Sequence, residues 1–250
     1  MRRWITMDQV TADTNSNGQT DKATPANQAS HHPGYVVLEG CIGVGKTTLA
    51  ALWSDAVDAK TILEVVEENP FLPEFYEDSK AHAFKTQMFF LLSRFKQQEQ
   101  LNQPDLFQQR VVADYLFAKD RIFAELTLSG SELALYDQVF QALQSQVRTP
   151  ELVVYLRAPL DVILERIQQR GRSFEKNIDP GYLKDLMEAY DRFFGQLTEC
   201  PVLIVDTEDL NFPRERAHFE TVFNAIQSTA HQPQGTRHIL TGHSRQPSLL

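Results

Sequence analysis

The chain has 250 residues, 42% of them hydrophobic, which suffices for one sizeable core in a single α/β domain. Its 24 basic and 33 acidic residues give a net charge of −9, which argues against a nucleic-acid-binding surface and favours a small-molecule substrate. Cys41 and Cys200 make no disulfide framework, and no Cys/His cluster has metal-ligand spacing, so a reducing cytoplasm is expected. No membrane partner is expected, because no stretch is apolar enough to cross a bilayer and the N-terminus resembles no signal or transit peptide.

Both ends of the chain are polar and contain few large apolar residues. Residues 1–34 and 228–250 are therefore predicted to be disordered tails around one domain at 35–227. Five of the seven histidines fall in these tails. Solvated histidines are expected there, so no metal or catalytic role is assigned to them.

A glycine-rich loop follows the first apolar run, residues 35–39. It fits the phosphate-loop pattern G-x-x-x-x-G-K-[ST] in the strand-then-helix context that the pattern requires. Its residues are Gly40, Cys41, Ile42, Gly43, Val44, Gly45, Lys46, Thr47 and Thr48. Lys46 supplies positive charge to the outer phosphates, Thr47 offers a hydroxyl to Mg²⁺, and a helix from Lys46 to Asp58 points its positive end at the anion. The loop predicts a phosphoryl-transfer enzyme; a plain glycine-rich turn is the alternative.

Apolar runs alternate with segments of helical periodicity along the rest of the chain. The alternation predicts a P-loop NTPase-type three-layer α/β fold, in which helices flank a five-stranded parallel sheet. The predicted strands are 35–39, 61–66, 109–113, 151–157 and 201–206. The predicted helices after the phosphate loop are 81–101, 115–128, 131–147, 159–170 and 180–197, the last begun by an Asp-Pro pair.

Two acidic residues come at or near the ends of predicted strands, where the strands of a parallel sheet present their carboxyl ends to one crevice. Glu64 could accept a proton from an acceptor hydroxyl, although its neighbours Glu67 and Glu68 could serve instead, or the turn could be surface charge. Asp114 could help to hold Mg²⁺, or it could cap a helix that begins at Tyr115.

Three arginines surround a glycine after the fourth strand and its helix. Arg166, Arg170 and Arg172 could bring guanidinium groups over a bound triphosphate, with Gly171 letting the chain leave the helix. This pattern predicts a lid that closes on the donor. The alternative is a solvated basic helix end beside the negative pole of the helix dipole.

Six motifs in order resemble the deoxynucleoside kinase family, especially its bacterial deoxyadenosine and deoxyguanosine kinase branch. They are the phosphate loop, Glu64-Val65-Val66, Asn69-Pro70-Phe71-Leu72 with Phe75-Tyr76, Gln87 with Leu92-Ser93-Arg94, Phe123-Ala124, and 166–175. The likeness spans 35–206. It implies transfer of a phosphoryl group from ATP, with Mg²⁺, to the 5′-hydroxyl of a deoxyribonucleoside in nucleotide salvage. It mildly favours a purine nucleoside and implies a homodimer, formed through the helices at 81–101 and 131–147.

The resemblance also implies roles for individual residues. Glu64 matches the catalytic base, Gln87 the amide that hydrogen-bonds the nucleobase, and Phe123 the aromatic on which the base stacks. Arg94 matches a residue near the base edge. Tyr76 and Glu175 match the pair that grips the sugar 3′-hydroxyl. The lid arginines are matched by Arg166, Arg170 and Arg172.

The chain departs from the family pattern at two positions. Members usually carry an acid-Arg-small motif after the third strand, but Asp114 is followed by Tyr115, which leaves the arginine's work to Arg121 or a lid residue. Lys119 stands where several relatives carry an acid near the nucleobase, so the preferred base is left open.

Two other functions fit parts of the pattern. A nucleoside-monophosphate kinase of the thymidylate kinase type shares the loop and the lid, but it needs arginines for a second phosphate on the acceptor. A non-catalytic ATP-binding switch would bind nucleotide without phosphorylating an acceptor. Neither explains why Glu64, Gln87 and Glu175 occur together.

Overall fold

The computed structural model describes residues 32–66, 68–101, 110–172, 175, 178–241 and 248–249. Residues 1–31 of the predicted N-terminal tail lie outside the described residues. Within the described part of the chain, no helix has both the length and the apolarity that a membrane crossing requires.

A single sheet forms the centre of the molecule. Its strands, in chain order, are β1 (Tyr35–Gly40), β2 (Lys60–Ile62), β3 (Val111–Ala113), β4 (Leu152–Arg157), β5 (Val202–Asp206), β6 (Arg237–Leu240) and β7 (Ser248–Leu249). They lie in the order β2-β3-β1-β4-β5-β6-β7, and β7 is antiparallel to β6 while every other pair is parallel. The predicted three-layer P-loop fold is confirmed, but its count of five strands is wrong.

Helices account for most of the remaining chain. They are α1 (Lys46–Val57), α2 (Leu72–Glu77), α3 (Ser79–Leu101), α4 (Asp120–Thr127), α5 (Gly130–Gln144), α6 (Leu160–Arg170), α7 (Pro180–Gln196) and α8 (Arg216–Ala230), with a 3₁₀ turn at Phe117–Lys119. Asp179 caps α7 by accepting hydrogen bonds from the N–H groups of Gly181 and Tyr182, as the Asp-Pro pair predicts.

The predicted disordered C-terminal tail is wrong over residues 228–241. The helix α8 continues to Ala230, and β6 adds to the sheet by pairing with β5, with Val202 opposite Arg237 and Val205 opposite Leu240. Alternate residues of β6 are only partly buried, and the strand begins with Arg237 and His238. Such a short strand with polar residues gives a weak apolar signal in a sequence.

Two predicted boundaries near the sheet also change. The strand β2 ends at Ile62, so Glu64 lies in the segment after the strand. The helix expected at 115–128 is a 3₁₀ turn followed by α4, because Leu116 is extended and donates its N–H to the Glu39 carboxylate at 2.5 Å. The side chain of Glu39 thereby holds the extended residue that precedes the 3₁₀ turn.

The core has two parts, and the space between them positions the site. Strands and their covering helices form the larger part, in which all six residues of β1 are buried. A smaller cluster joins α2 to α5 through large side chains such as Phe75, Leu91 and Phe140. Tyr76 and Tyr182 pack against both parts. The site described next lies where these two parts meet, at the carboxyl ends of β1, β2 and β3.

Candidate active site

The phosphate loop joins β1 to α1 in a conformation that needs glycine. A Cβ on Gly40, whose φ is +145°, would lie 2.2 Å from the carbonyl oxygen of Leu156. Lys46 Nζ donates to the carbonyl oxygens of Gly40 at 2.8 Å and Cys41 at 3.2 Å. Burial and the Lys119 charge lower the pKa of Lys46, and three nearby carboxylates oppose this shift. The loop therefore holds its lysine against its own backbone.

Residues of the loop face different cavities. Gly40, Ile42, Gly43, Lys46 and Thr47 line the central cleft, which encloses about 820 Å³ of empty space, part of it open to solvent. A neighbouring cavity shares Gly43, Lys46 and Thr47 with this cleft and is lined in addition by Val44, Gly45 and Thr48, together with Arg166. The Cys41 side chain is buried and lines neither, so this residue offers the loop only its backbone.

The side chains of Thr47 and Asp114 meet at the mouth of the loop. Thr47 Oγ1 donates to Asp114 Oδ2 at 2.6 Å, and the Glu64 N–H donates to Asp114 Oδ1 at 2.7 Å. The alternative that Asp114 caps a helix at Tyr115 is wrong, because the 3₁₀ turn begins only at Phe117 and has no side-chain cap. A hydroxyl beside a carboxylate provides the hard oxygen donors that Mg²⁺ prefers, so these residues fit the ion.

Glu64 lies in the central cleft between two cations. Its Oε1 accepts from Arg94 Nη2 and its Oε2 accepts from Lys119 Nζ at 3.0 Å. Burial by itself would raise the pKa of Glu64, but the charges of Arg94, Lys119 and Lys46 together lower it well below its usual value. Glu64 is therefore ionised throughout the physiological pH range.

Glu68 is the described neighbour that could have competed for this place, and it does not line the cleft. Glu68 is exposed, and Glu67 lies outside the described residues. Among the described candidates for a proton acceptor at the end of β2, the geometry therefore favours Glu64.

Helix α3 and helix α4 build the pocket on the other side of Glu64. Gln87 and Arg94, two turns apart on one face of α3, both line the cleft and are almost fully buried. Gln87 Nε2 donates to Thr127 Oγ1 at 3.3 Å. Phe123 of α4 lines the same pocket, with Lys119 Nζ 5.9 Å from the centre of its ring. Gln87 is thus a buried cleft residue, not a helix-surface one.

Phe90 was not predicted from the sequence as a site residue. It lines the pocket, and the Arg94 guanidinium lies 4.8 Å from the centre of its ring. The available signal was spacing, since Phe90 is three residues after Gln87 and four before Arg94, which puts all three on one helix face.

The predicted lid residues divide into two groups. Arg170 donates to Glu175 Oε1 at 2.6 Å, Arg172 Nη1 lies 3.5 Å from the same oxygen, and Tyr76 lines the cleft with them. Burial and the Glu175 charge raise the pKa of Tyr76. Residues 173, 174, 176 and 177 of this segment lie outside the described residues.

Arg166 lines the neighbouring cavity beside the phosphate loop together with Arg170 and Arg172, but its guanidinium is bound to the protein itself. Its Nη1 donates to the carbonyl oxygen of Val44 at 3.2 Å and to Thr207 Oγ1 at 2.8 Å, and its Nη2 donates to the carbonyl oxygen of Thr207 at 2.7 Å. Arg166 therefore ties the phosphate loop to the end of β5 and does not line the central cleft.

The expectation that Arg121 takes the place of the absent arginine is wrong. Its side chain is 47% exposed and pairs with the surface residues Glu125 and Asp137. The cation of this segment that does reach the cleft is Lys119, which is 2% exposed and contacts Glu64. The next residue, Asp120, is fully buried and pairs with Arg94.

Phosphate loop and acceptor pocket meet across the Glu64 carboxylate, and this arrangement defines a P-loop phosphotransferase with a small-molecule acceptor. The family model for deoxynucleoside kinase matches residues 36–231. The chain therefore belongs to the deoxynucleoside kinase family, as its motifs predict.

Individual relatives agree with this assignment. The chain is 39% identical over 193 residues to deoxyguanosine kinase of Bacillus subtilis (strain 168), covering 75% of this chain and 93% of that protein. It is 32% identical over 190 residues to deoxyadenosine kinase of Dictyostelium discoideum, covering 73% and 76%. Among solved structures, deoxyadenosine kinase from M. mycoides with dCMP and dCDP bound superposes with a TM-score of 0.69 at 26% identity, covering 78% of this chain and 99% of that one. The predicted family and fold are confirmed.

Proposed function

We propose that this chain transfers the γ-phosphoryl group of ATP to the 5′-hydroxyl of a purine deoxyribonucleoside in nucleotide salvage. The observation that carries the proposal is the place of Glu64, between the phosphate loop and a buried pocket that contains Gln87 and Phe123. The relatives named as deoxyguanosine and deoxyadenosine kinases support a purine acceptor.

Glu64 acts as the base that accepts the 5′-proton. A carboxylate with a lowered pKa is a weak base, which suits phosphoryl transfer because the loose transition state needs the acceptor oriented more than it needs it ionised. Lys46 in the phosphate loop and the lid residues Arg170 and Arg172 neutralise charge on the transferring phosphoryl group.

The oxygen atoms of Thr47 and Asp114 would hold Mg²⁺ at the mouth of the loop. When bound, the ion supplies positive charge to the outer phosphate oxygens of ATP. Asp114 also fixes the Glu64 backbone through its second oxygen.

Acceptor recognition divides between base and sugar. The Gln87 amide offers one donor and one acceptor to the edge of the nucleobase, and Phe123 and Phe90 offer aromatic surfaces against its faces. Tyr76 and Glu175 receive the sugar 3′-hydroxyl.

Arg94 lies near the edge of the nucleobase. Its ion pairs help to decide between a nucleoside kinase and a nucleoside-monophosphate kinase. Its guanidinium pairs with both Glu64 and Asp120. An arginine held by two carboxylates is poorly placed to receive an acceptor phosphate, which argues against a nucleoside-monophosphate kinase.

We further propose a cytoplasmic homodimer with one catalytic domain. Leu92 of α3 and Leu135 of α5 are 51% and 50% exposed, and they lie on the two helices expected to form the interface. Both cysteines are free and buried, which suits a reducing compartment. This domain includes His32, which packs against Trp53 and Phe223, and it extends at least to the end of β6.

The test is ATP-dependent ADP release with deoxyadenosine, deoxyguanosine, deoxycytidine and thymidine, and with their 5′-monophosphates. We expect turnover with the purine nucleosides, none with the monophosphates, and none with Lys46→Ala. Turnover only with monophosphates would move the assignment to the monophosphate kinases. ATP binding without any acceptor turnover would support a switch module.

A further inference from the structure

Lys119 is a charged residue at the reaction centre for which the sequence offered no purpose. It ends the 3₁₀ turn, is 2% exposed, and places its ammonium 3.0 Å from Glu64 Oε2 and 3.7 Å from Glu39 Oε1. Moving an ammonium group from water into a protein interior costs several kcal/mol, roughly, unless charged or polar partners compensate for it. A lysine at this depth therefore depends on both carboxylates.

Glu39 is the fixed member of this set. It is fully buried in β1 and accepts N–H groups from Gly40 at 3.0 Å and from Leu116 at 2.5 Å. Those bonds join the start of the phosphate loop to the segment that leads into the 3₁₀ turn. Glu39 thus anchors one side of the Lys119 ammonium to rigid backbone.

Glu64, by contrast, lies in a segment without regular structure and needs outside support. Asp114 holds its backbone N–H, while Arg94 and Lys119 approach its two carboxylate oxygens from different elements. Two donors on two oxygens fix the plane of a carboxylate, whereas one donor would leave it free to rotate. The second donor is Lys119.

We propose that Lys119 is a positioning residue, anchored by Glu39, that holds the Glu64 carboxylate at the angle required to accept the 5′-proton. This inference rests on the proposed function, because it concerns the base of that reaction. Lys119 acts through Glu64, because its ammonium is 3.0 Å from Glu64 Oε2 but 5.9 Å from the centre of the Phe123 ring, at the outer limit of a cation–π contact. Gln87 bonds to Thr127 instead. Loss of Lys119 should therefore affect the chemical step more than nucleoside binding.

The experiment compares the steady-state kinetics of Lys119→Met with those of the wild type. We expect kcat to fall by roughly 10- to 100-fold, since misplacing a catalytic group by about 1 Å costs about that much, while the nucleoside KM changes by less than about threefold. Arg121→Gln is the matched control, because Arg121 is a nearby cation on the surface. It should leave both constants unchanged.

A folding measurement separates positioning from loss of structure. Lys119→Met leaves Glu39 buried without its cation, so the melting temperature should fall, and kcat is measured at a temperature at which circular dichroism shows the variant fully folded. If Lys119 positions Glu64, kcat is low in this folded protein while the nucleoside KM is nearly unchanged. A rise in KM that matches the loss of kcat would overturn the proposal, as would a kcat of Lys119→Met within about threefold of the wild type.

The wild-type assay distinguishes failure of this inference from failure of the proposed function. Wild-type protein that phosphorylates no nucleoside would contradict the proposed function itself. Wild-type protein that is active beside an equally active Lys119→Met would contradict only the assignment of Lys119.

Discussion

The floor and the rim of the cleft handle charge differently. Five alternating charges form the floor cluster, namely Glu39, Lys119, Glu64, Arg94 and Asp120, and its two cations are 2% and 5% exposed. The cations of the rim, Arg170 and Arg172, are 36% and 32% exposed and share the buried acid Glu175.

This difference indicates two kinds of task. Buried charges that pair with one another hold a fixed geometry, because separating them would leave an ion unpaired in an apolar medium. Half-exposed arginines can exchange one partner for another at small cost, since water screens and replaces each contact. The floor is suited to orienting the acceptor, and the rim to gathering phosphate as the donor binds.

The largest expected effect tests the floor at its centre. Glu64→Gln keeps the size of the side chain but removes the proton acceptor, so kcat should fall by roughly 10²- to 10⁴-fold with little change in nucleoside binding. Single-turnover kinetics and calorimetric titration with the nucleoside would measure the two quantities. The control is Glu68→Gln, at an exposed neighbour. Comparable rates in the wild type and Glu64→Gln would contradict the assignment.

A second effect tests whether the floor is held by mutual pairing. Arg94→Met leaves Glu64 and Asp120 without their shared cation and should lower the free energy of unfolding by about 3–5 kcal/mol. Arg157→Met provides the contrast, because the Arg157–Asp206 pair is about one third exposed and should contribute at most about 1 kcal/mol. Urea denaturation at neutral pH measures both. Equal losses in the two variants would show that burial does not distinguish these pairs.

A substitution in the rim should have a smaller effect, and it should change the kinetics with ATP more than the stability. Arg170→Gln removes one of several cations near the phosphates and should lower kcat by roughly 10- to 100-fold while raising the KM for ATP. Its stability should change little, because Arg172 still pairs with the buried Glu175 carboxylate. Arg216→Gln, at a fully surface ion pair on α8, is the control. A large loss of stability in Arg170→Gln with unchanged kinetics would place Arg170 in a structural role.

The smallest effect concerns the thiols. Burial raises the pKa of both Cys41 and Cys200 to about 11. The fraction of reactive thiolate is therefore small at pH 8 and increases only as the pH approaches the pKa. Iodoacetamide at pH 8 should leave activity intact and label the cysteines only after unfolding, as intact-mass spectrometry would show. Rapid labelling of Cys41 in the native protein would mean that the phosphate loop opens readily.

The sequence predicted those parts of the site that depend on neighbouring residues. The strand, loop and helix around Lys46 follow from a local pattern, and the structure places Gln87, Arg94 and Phe123 in one pocket as their ordered motifs implied. The strand β6 was not predicted, because its parallel partner β5 lies more than 30 residues earlier in the chain and supplies much of its burial.

Tertiary structure alone decided which charges meet. Lys119 and Glu64 are 55 residues apart in the sequence, and Arg166 and Val44 of the phosphate loop are 122 residues apart. No local pattern could therefore show that Lys119 contacts Glu64 or that Arg166 binds the phosphate loop. Local sequence fixes backbone conformation through sterics and short-range hydrogen bonds. The pairing of buried charges depends on which elements the packed core brings together, and that is a property of the whole fold.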